Sequence, residues 1–441
     1  MLIRFVAKNY RSIGTEMEFN MLPASYLKTH PDHVADMGKL RILKPSVLYG
    51  ANGAGKSNMF LGMKFLRDIV TGDTDIPDST HHLINRLVPE LKEAPIHLEV
   101  EFSYHNYFCA YSIEFKDGVI LDEELYELGF EKDDRLIFER KHDSTTGKIT
   151  VETGKDFHSS QDELLVSILE SNLLSPKIPV LRLASVIKKE IVSVAYDWFR
   201  LGIEIIFPQT KFSNLVPDLT ESDFNNFANK LLRSYNTGIE KLSIERISLD
   251  SYGLPPKLLS HIKNLLAEDP ASRYVLDDTD GTVVINDLDG PVVLKPKSGH
   301  IGNDGNEVSL DLSDESDGSQ RLLQYVPIFK RLSTEDITFF IDEIERSIHP
   351  SLLKGLVGSF LSHSGSITGQ LVFSTHECNL LDLKVFRKDE IWFAQKKQNE
   401  TSLYPLSDFD IRQDLDIEKG YLMGRFGAVP FLGNIRDLQW K

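Results

Sequence analysis

Gly50-Ala51-Asn52-Gly53-Ala54-Gly55-Lys56-Ser57 reads as GxxxxGK[ST], set between the apolar run PSVLYG and SNMFLGMKFLRDIV, whose apolar residues recur at helical spacing. Strand, loop and helix in that order let glycine-rich backbone wrap phosphate oxygens with N–H groups, and the helix N-terminus adds a favourable dipole. An α/β fold is therefore expected. Asn52, Gly53, Ala54 and Gly55 should line the phosphates of ATP, Lys56 should bridge the β- and γ-phosphates, and Ser57 should hold Mg²⁺ through its hydroxyl. A plain glycine-rich turn would not require the flanking strand and helix.

A second acidic feature fits the first. Ile337-Thr338-Phe339-Phe340-Ile341 is an apolar strand ending in Asp342-Glu343, which puts two carboxylates at the C-terminal edge of a buried sheet, where α/β ligands bind. Asp342 is the expected Walker B ligand to Mg²⁺. Glu343 is placed to orient and polarise an attacking water. The alternative is a pair of acids favouring the start of the next helix.

Composition narrows the setting. Hydrophobic residues make up 41% and charged residues 26%, as in ordinary globular chains. The opening MLIRFVAKNYRSIG lacks the apolar core of a secretory signal, and no uncharged apolar stretch approaches the length of a bilayer span. No membrane role and a cytoplasmic location are expected. Cys109 and Cys378 have no CxxC spacing and read as buried thiols in a reducing compartment. A formal net charge of −17 disfavours general attraction to a phosphate backbone, although a local basic patch binding nucleic acid remains open.

Along the chain, residues 1–20 read as two short strands around RSIG, and the alternating residues from Leu98 to Phe115 read as an antiparallel hairpin or meander. From about residue 155 the texture becomes helical, and residues 275–311 read as turns with short strands. Three segments are expected: 1–154 and 305–441 as the halves of one head, and 155–304 as an inserted, mainly helical lobe. Heptads are not sustained, which argues against a long coiled-coil arm.

Further motifs make the resemblance specific. Leu312-Ser313-Asp314-Glu315-Ser316-Asp317-Gly318-Ser319-Gln320 precedes the amphipathic RLLQYVPIFKRL, and LVFSTHE is a strand ending at His376. With KNYRSIG, YGANGAGKSN, IDEIERSIHP and the tail YLMGRFGAVPFL, the chain resembles the ABC-type ATPases grouped with SMC, RecF and OLD proteins, particularly the bacterial RloA, AriA and PtuA-like defence ATPases. The resemblance implies an ABC-type P-loop ATPase head of mixed sheet and helices. It places Ser316 and Gly318 at the signature, opposite the phosphate loop of a second copy, and makes His376 the switch histidine. It also suggests nucleotide contacts for Arg11 and Ser12, and puts His349 near the D-loop, where a helix-start histidine is the plain alternative. The implied partners are a second copy, in a head-to-head dimer or higher even-numbered oligomer, and a separately encoded effector nuclease. A DNA-repair ATPase of the RecF or SMC sort is the alternative, and a transporter subunit has no support. Two departures stand out: no glutamine lies between Ser57 and Gln161 to serve as the Q-loop ligand, and no toprim-like nuclease domain follows residue 376.

Overall fold

The protein is described by a computed structural model covering residues 1–130, 132–210, 215–277, 280–288, 290–412 and 415–429. Within it the chain packs as two compact units, one of Met1–Phe207, Glu335–Ile344 and Gly358–Lys441, the other of Pro208–Thr334 and Glu345–Val357. These groupings differ from three consecutive segments. Residues 155–207 pack with the N-terminal strands, and the helix after the signature packs with the lobe.

In the first unit, five parallel strands run in the order Ile203–Ile206, Thr338–Ile341, Gln370–Ser374, Pro45–Gly50 and Ile391–Lys397, and Glu400–Pro405 closes the edge antiparallel. Thr338–Ile341, Gln370–Ser374 and Pro45–Gly50 are buried throughout, which is why they read as continuous apolar runs. Gln370 knits their starting ends: its side chain accepts from Leu2 N (2.7 Å) and Thr338 Oγ1 (3.0 Å) and donates to Leu43 O (2.8 Å).

A seven-stranded antiparallel sheet is built from Leu2–Lys8, Met17–Asn20 and the meander from Ile96 to Thr153. The first hairpin of the meander turns at His105 and Asn106, whose φ values of 46° and 67° give the twist that matches paired strands. Helix Lys56–Thr71 packs against both sheets: Phe60 meets Phe340 edge-on at 5.9 Å, and Phe65 meets Phe115 at 5.5 Å. The phosphate loop therefore opens a helix fixed along its length.

The stretch IPVLRLASVIKKEIVSVAYDWFRL, read as helical, forms a short helical segment from Leu181 to Ile187, breaks at Lys188 (φ 54°) and resumes as helix Glu190–Asp197. It is pinned by Trp198, fully buried and stacked on Phe102 at 4.1 Å, and by the buried Glu123 carboxylate, which accepts from Val180 N and Leu181 N. Burial pushes that carboxyl up from its ordinary value, and the nearby Arg140 opposes the shift.

The second unit carries helices Ser222–Ser234 and Pro256–Glu268, but also a five-stranded antiparallel sheet centred on the twelve-residue strand Gly290–Ile301. Pro296 is tolerated in that strand. Lys241–Ser248 pairs along one side, while on the other Thr282–Asp287 pairs only as far as Leu294 and Glu307–Asp311 begins at Lys297. On that second side no strand is in register with Pro296, so its missing N–H breaks no ladder bond there.

Candidate nucleotide site

Three strand ends share one edge of the parallel sheet. Val47 registers with Phe373 and Phe373 with Ile341, so the phosphate loop, the residues after Ser374 and the Asp342-Glu343 pair emerge side by side. Lys56 is the first residue of its helix, 6% exposed, with Nζ donating to Gly50 O (2.8 Å) and lying 3.2 Å from His376 Nε2. His376 is thus brought to the loop, although its ring is exposed. Ser57 follows Lys56 in the first helical turn and is half-buried.

The loop is braced from outside its own segment. Thr401 Oγ1 donates to Ala54 O (2.9 Å) and lies 2.7 Å from Ser12 Oγ, which accepts from Asn58 Nδ2 (2.6 Å). Gly55 has φ 101°, and a Cβ there would fall 2.1 Å from Thr401 Oγ1, so this position needs glycine on two grounds. Ser12 therefore touches the frame of the loop. Arg11 is exposed on the turn, its guanidinium over the Tyr10 ring at 5.7 Å, and among the described residues no hydrogen bond or ion pair joins it to the loop.

Asp342 is 3% exposed, and among the described residues no lysine, arginine or histidine pairs with its carboxylate. Ser374 Oγ donates to Asp342 Oδ1 at 2.5 Å and accepts from Glu343 N at 2.8 Å, so one buried hydroxyl fixes both acids. Glu343 sits at φ 51°, an uncommon conformation for a residue with a Cβ, and its side chain is half-buried. A buried carboxylate with no basic partner among the described residues fits a hard divalent cation, and the Ser57 hydroxyl supplies a second oxygen of the right kind.

Ser374 did not stand out in the sequence as a site residue, yet it occupies the centre of this arrangement. Ser374→Ala should retain ATP binding and lose about 10- to 100-fold in Mg²⁺ affinity or turnover, as loss of a group orienting a metal ligand does. Titrating the ATPase rate with Mg²⁺ checks this, and an unchanged curve would contradict it.

The signature residues belong to the second unit. Ser316 caps helix Asp317–Thr334, its Oγ accepting from Ser319 N (3.2 Å), and it is exposed. Gly318 lies against the loop after the acidic strand, where a Cβ would stand 2.7 Å from Ser347 O. His349 starts helix Pro350–Ser362, its Nδ1 accepting from Ser351 N (3.2 Å). Of the expected buried thiols, Cys109 is buried and pushed up to about 12 by that burial, whereas Cys378 is half-buried in a short turn.

The tail packs beside the phosphate-loop strand: Phe393 stacks with Tyr421 and Phe426, and Tyr404 Oη donates to Phe426 O (2.8 Å). Pro430, Phe431 and Leu432 of the tail motif lie outside the described residues. No helix among the described residues is long and apolar enough to cross a membrane.

A strand, a GxxxxGKS loop and a helix, with an acidic strand end and a histidine at the same sheet edge, define a P-loop ATPase domain. The chain belongs to the family described as "AAA domain, putative AbiEii toxin, Type IV TA system", whose model matches residues 46–382. No protein of curated function matches it. Among solved structures it is similar to an SMC head bound to the C-winged helix domain of ScpA, at 10% identity over 92% of this chain and 97% of that one, with a TM-score of 0.41. It is also similar to the SMC head domain from Thermotoga maritima, at 10% identity over 92% and 98%, with a TM-score of 0.38. A third is the Smc head with extended coiled coil bound to the C-terminal domain of ScpA from Pyrococcus furiosus, at 11% identity over 96% and 98%, with a TM-score of 0.37.

Proposed function

We propose that this chain is an Mg²⁺-dependent ABC-type ATPase whose heads close in pairs around ATP, and that closure controls a separately encoded effector nuclease in bacterial anti-phage defence. The observation that carries the ATPase reading is Lys56 Nζ held between Gly50 O and His376 Nε2 on the sheet edge that also bears the Ser374-clamped Asp342 and Glu343. Lys56 and the loop N–H groups bind the β- and γ-phosphates, Mg²⁺ between Ser57 and Asp342 would neutralise charge on the phosphates, Glu343 orients water, and His376 contacts the γ-phosphate. The toxin-system wording of the family and the likeness to RloA, AriA and PtuA-like ATPases support the defence role. The net charge of −17 disfavours the RecF or SMC-like reading, in which the dimer binds DNA directly.

Pairing is tested by mixing two inactive variants. Ser316→Arg should bind ATP at its own Lys56 without hydrolysing it, and Lys56→Ala should not bind it. In a mixed dimer one site keeps Lys56, Asp342 and Glu343 from the first chain and Ser316 and Gly318 from the second, so ATPase activity should return. If subunits exchange and no activity or one-site ATP occlusion appears, the shared site is wrong.

A further inference from the structure

We infer that Glu315 is the positioning residue of the signature turn, and that it ties this turn to the central strand of the inserted sheet. The inference rests on the proposed shared site and extends it inward from the residues that face ATP.

Glu315 immediately precedes Ser316. Its side chain is 8% exposed and its Oε1 receives two groups from strand Gly290–Ile301: Ser298 Oγ donates at 2.5 Å, and His300 Nε2 lies at 2.6 Å. Ser298 and His300 alternate along the strand, so both project from one face of the sheet. From the other face Lys295 and Lys297 reach Asp311, at 2.7 and 2.5 Å, which fastens the start of the same connection and holds that carboxyl below the usual range.

The connection from Asp311 to the signature is thus attached to both faces of one strand. The attachment continues into the helix. Gln320 Nε2 donates to Glu315 O (2.9 Å), and Ser316 Oγ accepts from Ser319 N (3.2 Å). Swinging Ser316 away would pull a nearly buried carboxylate from both donors, which the low-dielectric surroundings penalise. Any partner that shifts strand Gly290–Ile301 therefore acts on the signature directly.

Glu315 touches no reacting atom in this scheme, so its loss should impair the site it offers to a second copy and spare its own. Glu315→Ala should bind ATP within about threefold of the parent yet hydrolyse it roughly 10- to 100-fold more slowly, the scale of a small misplacement of a catalytic contact. Glu315→Gln keeps an acceptor oxygen for Ser298 and His300 and should recover most of the rate. Mixed with Lys56→Ala, Glu315→Ala should regain activity as Ser316→Arg does, a readout that general loss of structure would not give. Wild-type turnover by Glu315→Ala, or a Glu315→Gln variant equally slow, would overturn the anchor. If Ser316→Arg is rescued in the mixture and Glu315→Ala is not, the anchor alone is overturned; if neither is rescued, the shared site falls and takes the anchor with it.

Discussion

Glu343→Gln should leave ATP bound and lower its hydrolysis by roughly 10²- to 10⁴-fold, the range for loss of a positioned proton acceptor. Glutamine preserves the shape at φ 51° and the bond from the backbone N–H to Ser374 Oγ, so only the charge and its pull on water are removed. The closed pair of heads should then accumulate with ATP, visible as a doubled mass on size measurement. Unchanged turnover would assign the carboxylate role elsewhere, with Glu345 the next candidate by sequence.

Lys56→Ala should abolish useful nucleotide binding. Each charge-assisted hydrogen bond contributes about 1.5–3 kcal/mol. Losing contacts to two phosphates weakens ATP on the order of 100-fold or more, at about 1.4 kcal/mol for each factor of ten. Folding should survive, because alanine favours helix at this first position and the braces from Ser12, Asn58 and Thr401 to the loop do not involve the lysine. Equilibrium titration with a fluorescent ATP analogue reads the loss. Tight binding by the variant would remove the phosphate-loop assignment.

The parts of this site written in consecutive residues were legible before any coordinates. GANGAGKS, FFIDE and FSTHE each combine a buried parallel strand with the polar group at its end, and both halves of that pattern are local. What the sequence concealed depends on distant partners. Thr401 reaches Ala54 across 347 positions, and nothing near it marks it as a brace for the phosphate loop. Strand Ile203–Ile206 comes straight after a helical stretch and is four residues long, so pairing with Thr338–Ile341 decides its state more than its own propensity does. Its bounding Gly202 and Pro208 were the available signal. Residues 275–311 read as turns with short strands, and the twelve-residue length of strand Gly290–Ile301 was concealed by Pro291, Pro296 and Gly299, breakers that its pairing with Lys241–Ser248, Thr282–Asp287 and Glu307–Asp311 overrides. The lobe accordingly read as mainly helical.

If Lys56, Asp342, Glu343 and His376 form one site for ATP, an experimental structure of Glu343→Gln with ATP and Mg²⁺ will show them around one nucleotide. The triphosphate should lie within the loop from Gly50 to Ser57, with Lys56 Nζ moved from Gly50 O to the phosphates, Mg²⁺ between Ser57 and Asp342, and His376 at the γ-phosphate. Nucleotide bound elsewhere, or bound in the loop with Lys56 still on the Gly50 carbonyl, would contradict it.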